Sequence, residues 1–251
     1  MPTDGVHVNE DGKKIFIPLE NNPEVFTSLV HDLGASTEVG FYDVFSVDEP
    51  ELLALIPRPV YALIFITPPA MYNDVRNADK TPLAKNSHTY DGTSEDEPVL
   101  WFKQTIGNAC GLYALIHSLA NGEARSFVKD GSLLDRVFKE AKPLPVEPRA
   151  RVLYDNDELE KIHMKAARTG DSHTPAASDF AELHFIAFTK GKDGHLWELE
   201  GATDGPVDRG QLNDDEDMLS ERALKNGVKR FLEVSNGNPN FSIVALARKD
   251  D

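Results

Sequence analysis

Apolar residues three and four apart mark the first clear element of the chain. Phe26, Leu29, Val30 and Leu33 form one stripe, Asn22-Pro23 ahead of it supplies a cap and a first-turn proline, and Gly34 behind it supplies a stop. Residues 39–44 alternate as a strand does. Asp48-Glu49-Pro50 opens a short helix through Leu55, and residues 59–67, apolar nearly throughout, read as a central strand buried on both faces. Helical spacing returns in Leu112, Leu115, Ile116 and Leu119, which predict a helix from near Cys110 to Asn121-Gly122, and again in Leu133, Leu134, Val137 and Phe138. A further helix is expected from Glu147 to about Thr169. Residues 182–189 and 195–200 read as two strands of a hairpin, Leu224, Val228, Phe231 and Leu232 as a helix stripe, and residues 241–247 as a last strand. Helices mixed with strands and a late hairpin predict one α/β (α+β) domain over residues 13–248.

The polar stretches complete this picture. Residues 1–12 and 249–251 are expected to be flexible tails, residues 78–98 a mobile acidic loop, and residues 170–178 an exposed connection. With 40% apolar and 27% charged residues, the composition is that of a soluble globular protein. No apolar run approaches the ~20 residues of a membrane helix, and Met1-Pro2-Thr3-Asp4 lacks the basic and apolar regions of a signal peptide, so the protein is expected in the cytosol or nucleus. A formal charge of −16 repels nucleic acid and anionic lipid, and a basic protein suits it better as a partner. The single cysteine, Cys110, excludes an intramolecular disulfide and thiolate zinc clusters. Its thiol is a buried filler, an oxidation liability or a chemical tool.

Position raises the last of these to parity with an inert filler, and leaves both open. A Gly/Asn-containing turn leads directly from Gln104 into the helix at Cys110, where free N–H groups and the positive end of the helix dipole stabilise a thiolate, and Gly107 and Gly111 allow backbone and substrate to come close. A thiolate enzyme needs a base. His117 lies seven residues along the same helix, ~10 Å away and beyond the ~3 Å of a hydrogen bond, so its role is structural. His184 alternates away from the face of Phe185 and Ala187 and needs a polar partner. If Thr189 pairs with His195, Glu200 stands directly opposite His184; a loop shorter by one residue would put Gly201 there instead. Gln104 is either a plain turn residue or a donor to an oxyanion beside the Cys110 amide. Histidines 7, 31, 88, 163, 173 and 195 fall in tails, loops or exposed helix faces and receive no role. Phosphate loops, zinc-protease helices, serine-hydrolase elbows and calcium loops are absent from the sequence.

The run Gln104-Thr-Ile-Gly-Asn-Ala-Cys110-Gly, followed by Leu183-His184-Phe-Ile-Ala and Gly194-His-Leu-Trp-Glu-Leu-Glu-Gly201, resembles the ubiquitin C-terminal hydrolase family. Pro18-Leu-Glu-Asn-Asn-Pro-Glu-Val25 and residues 50–60 resemble its amino-terminal signature, so the likeness covers roughly residues 14 to 248, as in the short, free-standing members. The resemblance implies a papain-like cysteine protease relative with helices on both sides of a central antiparallel sheet and a knotted backbone. It implies Cys110 as nucleophile, His184 as general base and acid, Gln104 as oxyanion donor and Glu200 as the group that orients His184. Pro18, Leu19, Glu20 and Asn21 would touch substrate, residues 170–181 would cross over the active site, and no metal or cofactor would be needed. The implied reaction removes small or unfolded adducts from the C-terminal glycine of ubiquitin, and a monomer is expected. One position departs from the pattern: the family usually has aspartate where Glu200 stands, with a turn one residue shorter. Glu200 orients the imidazole by its longer reach, or Asp204 moves in, or activity is reduced. The alternatives to ubiquitin hydrolysis are a catalytically weak ubiquitin-binding module and a hydrolase that prefers a ubiquitin-like modifier.

Overall fold

Eight residues, Val60–Thr67 (β4), carry the centre of the fold, because almost every one of them is apolar and can be buried on both faces. The computed structural model describes residues 3–80, 90, 92, 96–179, 183–235 and 237–249. Antiparallel partners flank β4: Ser242–Arg248 (β8) on one side and His184–Lys190 (β5) on the other. Val39–Asp43 (β3) lies outside β8, and His195–Leu199 (β6) and Val207–Gln211 (β7) extend the other edge, giving a six-stranded antiparallel sheet in the order β3-β8-β4-β5-β6-β7.

The pleat sends Ala62, Ile64 and Ile66 into one core with Pro23–Leu33 (α1), Cys110–Ala120 (α4) and Leu133–Ala141 (α5). It sends Leu63 and Phe65 into a second core with Pro69–Ala78 (α3), Glu221–Asn226 (α8) and Val228–Val234 (α9). Full burial of each such side chain contributes about 1.5–3 kcal/mol, and His184, at the first position of β5, pairs directly with Thr67 at the end of β4.

Helix α1 matches expectation in detail: Asn22 Oδ1 accepts the N–H groups of Glu24 and Val25, Pro23 opens the first turn, and Gly34 closes it with φ 112°. A short helix follows at Pro50–Leu53 (α2). Other expectations need correction. The helix expected over 147–169 is two, Val146–Tyr154 (α6) and Asp157–Ala166 (α7), because Asn156 turns its side chain onto the N–H of Leu159 and starts a new helix. The C-terminal helix breaks at Gly227, where the carbonyl of Ala223 leaves no room for a Cβ.

His163 does not lie on an exposed face. It is fully buried on α7, bonded through Nε2 to the carbonyl of Ile17 at 2.9 Å and packed on Phe16. Nor is the described part of the amino-terminal segment a tail. His7–Val8 (β1) and Lys14–Ile15 (β2) pair as a hairpin, the N–H of Thr3 donates to Glu160, and Arg168 donates to the carbonyl of Asp4 at 2.6 Å. Most of the loop expected at 78–98 lies outside the described residues. Its far end is tied down by the buried guanidinium of Arg149, which grips both oxygens of Glu97 and the carbonyls of Gly92 and Trp101.

Candidate active site

Helix α4 begins at Cys110 without a side-chain cap, since Ala109 precedes it and has none to offer, so its first N–H groups point out of the helix with no side-chain acceptor. Leu112, Leu115, Ile116 and Leu119 press the helix against the sheet, and Cys110 is left 6% exposed at its mouth. The side chain of His184 reaches the same point from β5. It interacts with Cys110 there and is hydrogen-bonded through Nε2 to Oε1 of Glu200.

The route to that contact differs from the expected one. Thr189 pairs with Trp197 and Lys190 with Leu196, and the N–H of Gly191 bonds the carbonyl of His195, so the turn is tighter and the register lies two residues from the predicted pairing. Continuing that register puts Glu200 across from Ile186. An even slip keeps Glu200 on the face of His184, and the long glutamate side chain spans the remaining diagonal. Glu200 is held from every side. The N–H of Ala202 donates to Oε1 at 2.8 Å, and the indole N–H of Trp101 and the hydroxyl of Thr203 donate to its carbonyl. Asp204 does not move in: its carboxylate bonds Arg76.

Burial opposes a charge on His184. The hydrogen bond and negative charge of Glu200, with the interaction of Cys110, outweigh it and raise the pKa to about 10. His184 therefore carries an imidazolium at neutral pH. His117, by contrast, is fully buried, its pKa pushed down to about 3 by burial, and it accepts the N–H of Phe102 at 3.0 Å. It ties the segment ahead of Gln104 to α4, the structural role expected of it.

Gln104 arrives on that segment with its N–H bonded to the carbonyl of Gly201 at 2.7 Å. Its Nε2 donates to the carbonyl of Ile106 at 2.9 Å, which fixes the orientation of the carboxamide because a carbonyl can only accept. The second hydrogen on Nε2 is left for another acceptor. Gly201 makes this approach feasible, since a Cβ there would lie 3.1 Å from that of Gln104.

The glycines near the sulfur serve a different neighbour from the one expected. Ile15 fills the space beside Gly107, and Leu19 and Phe185 fill that beside Gly111, so the chain's own amino-terminal segment makes the close approach. Leu19 is therefore a core residue. Glu20 accepts the N–H groups of Asp171 and Ser172, Asn21 donates to Ser242, and Pro18 is half-buried. Trp101 and Thr203, which support Glu200, carry no signal in the sequence; they matter through backbone atoms they meet only after folding.

A sulfur at an open helix start, beside an imidazolium backed by a carboxylate, is equipped for acyl transfer through a thioester. The family model described as Ubiquitin carboxyl-terminal hydrolase, family 1, matches residues 16–233. The chain is 32% identical to ubiquitin carboxyl-terminal hydrolase YUH1 of Saccharomyces cerevisiae, an alignment covering 92% of this chain and 94% of that one. It is 35% identical to a ubiquitin carboxyl-terminal hydrolase of Aplysia californica, over 86% and 94%. Among solved structures, the Trichinella spiralis UCH37 catalytic domain bound to ubiquitin vinyl methyl ester shares the fold, with a TM-score of 0.69, 19% identity, and coverage of 94% and 96%. A match of this extent, in which the chain spans nearly the whole of its relatives, means that the chain belongs to the ubiquitin carboxyl-terminal hydrolase family 1.

Proposed function

We propose that the protein is a cysteine hydrolase that cleaves small or unfolded adducts from the C-terminal glycine of ubiquitin. One observation carries the chemistry: the ring of His184, bonded to Glu200 through Nε2, interacts with the Cys110 side chain at the start of α4. The Cys110 thiolate attacks the carbonyl of that glycine, and the N–H of Cys110 with the free hydrogen of Gln104 Nε2 receives the developing oxyanion. His184, already protonated, gives its proton to the leaving amine, alkoxide or thiolate. It then takes one from the water that cleaves the thioester, and Cys110 leaves as thiolate. Glu200 holds the ring in place throughout, and its bond to His184 supports full activity despite the departure from aspartate.

Substrate docking has a candidate surface beside the site. A hollow of about 620 Å³ is lined by Glu20, Asn21, Tyr42, Phe45, Leu55 and Asp171, among others, and exposes Phe45 at 72% and Leu55 at 67%. Large apolar side chains left this bare mark a contact surface, here for the folded body of ubiquitin. The rest of the reading is a monomer of the cytosol or nucleus; among the described residues no helix is long and apolar enough to cross a membrane.

The test is a comparison of a ubiquitin C-terminal ester, a short ubiquitin–peptide fusion and di-ubiquitin, with a ubiquitin-like modifier ester alongside. The ester and short fusion should be cleaved at least about a hundredfold faster than di-ubiquitin, a barrier difference of about 2.7 kcal/mol. Fast cleavage of di-ubiquitin would contradict the size limit, and failure to cleave any ubiquitin ester would contradict the function.

A further inference from the structure

Asn108 stands two residues before Cys110 in the left-handed region, with φ 55°, a conformation that asparagine tolerates better than most residues. Its carboxamide reaches away from its own turn. Nδ2 donates to the carbonyls of Ala177 and Asp179, both at 3.0 Å, so both amide hydrogens go to the segment 170–179. That end of the segment is preformed: Asp179 accepts the N–H of Ala176 through Oδ2 at 2.8 Å and returns its own N–H to the carbonyl of Ala176 at 3.0 Å. Ala177 is tucked into the core.

The opposite end is held by Glu20, whose carboxylate accepts the N–H groups of Asp171 and Ser172 at 3.2 and 2.8 Å. Gly170 beside it has φ 117°, and a Cβ there would lie 2.5 Å from Glu20 Oε2. The segment is thus fastened at two places. One lies next to Leu19, which packs on the first turn of α4, and the other is in the turn that presents the sulfur.

Chain length turns these fastenings into a size limit. From Ser172 to Ala177 the strap is five residues, a reach of about 16–18 Å even when fully extended. A small folded domain is about 30 Å across. Released at Asn108, the strap is no longer held to that span.

We propose that Asn108 is a specificity-determining residue: its bonds to Ala177 and Asp179 set the span of the strap beside Cys110 and so exclude folded leaving groups. The assignment rests on the reading of the chain as a hydrolase of ubiquitin adducts. Two variants test it. Asn108→Gly keeps the left-handed backbone and removes both bonds, while Asn108→Asp keeps the shape and sets acceptors against two carbonyls. Each is assayed on a ubiquitin ester and on linear di-ubiquitin, and hydrogen exchange of the amides in 171–179 is followed without substrate.

Both variants should exchange those amides faster and retain ester turnover within about fivefold, while kcat/KM for di-ubiquitin rises at least about tenfold, the consequence of two lost hydrogen bonds. An unchanged ratio of di-ubiquitin to ester cleavage in the variants overturns the assignment, whatever the exchange shows. A native protein inactive on every ubiquitin ester overturns the underlying reading instead. If the glycine variant fails to fold, the aspartate variant carries the same comparison.

Discussion

A chain carrying Cys110→Ser is expected to turn over a ubiquitin C-terminal ester at least about ten-thousandfold more slowly than the native one, with affinity for ubiquitin within about twofold of native. The substitution exchanges one atom at the mouth of α4 and leaves the backbone that presents it in place. A serine hydroxyl beside an imidazolium keeps its proton, because an alcohol is far less acidic than a thiol. The nucleophile is then absent although the site is otherwise intact. The hollow around Phe45 and Leu55, proposed above as the docking surface, is not touched by the exchange. Equilibrium binding of ubiquitin and steady-state hydrolysis, measured on the same preparation, check the two halves. Substantial residual turnover would show that another group attacks the carbonyl.

His184→Gln is expected to cost about a thousandfold or more in kcat, with a small change in KM, since it removes proton transfer made only during reaction. Glutamine is the informative choice. It still offers an N–H to Glu200, 3% exposed, which would otherwise be left as an unpaired buried charge. The two substitutions act on one unit, so the double variant should be little worse than Cys110→Ser alone.

The same variant gives a second readout. The pKa of His184 is about 10 in the folded protein, above its value of about 6.5 in an unfolded chain. Its stabilising contribution is therefore fully present below about pH 6.5 and is lost as pH rises through about 10. In denaturant titrations, the native chain should be more stable than His184→Gln at pH 6, and the gap should close toward pH 10. A gap that stays constant would contradict the paired imidazolium.

What the sequence revealed about this fold follows how local each signal was. Helix α1 was legible to the residue because cap, stripe and stop lie within thirteen positions, Asn22 to Gly34. The split between α6 and α7 was not, because Asp155-Asn156-Asp157, where the cap lies, reads equally well as an exposed turn of one continuous helix. Register failed for a related reason. The number of residues in the turn after Lys190 is decided by Gly191 bonding back to His195 and by Trp197 donating to Asp193, neither of which alternation records. His163 looked exposed because Ile17, which its ring bonds, is 146 residues away in the sequence.

The site was legible only in part. Each of its residues had a bland local reading, and the meeting of Cys110 with His184 is a contact that no spacing rule reaches. The family resemblance supplied it, and the structure supplies what resemblance lacked: the diagonal reach of Glu200, the diversion of Asp204 to Arg76, and the hold of Asn108 on Ala177 and Asp179.

The pairing of Cys110 with His184 is tested most directly by a ubiquitin probe ending in a thiol-reactive group, with the labelling rate followed by intact mass. One adduct per native chain, located at Cys110, is predicted, forming at least about a hundredfold more slowly in His184→Gln. A native chain that takes no probe, or a variant labelled as fast as native, would contradict it.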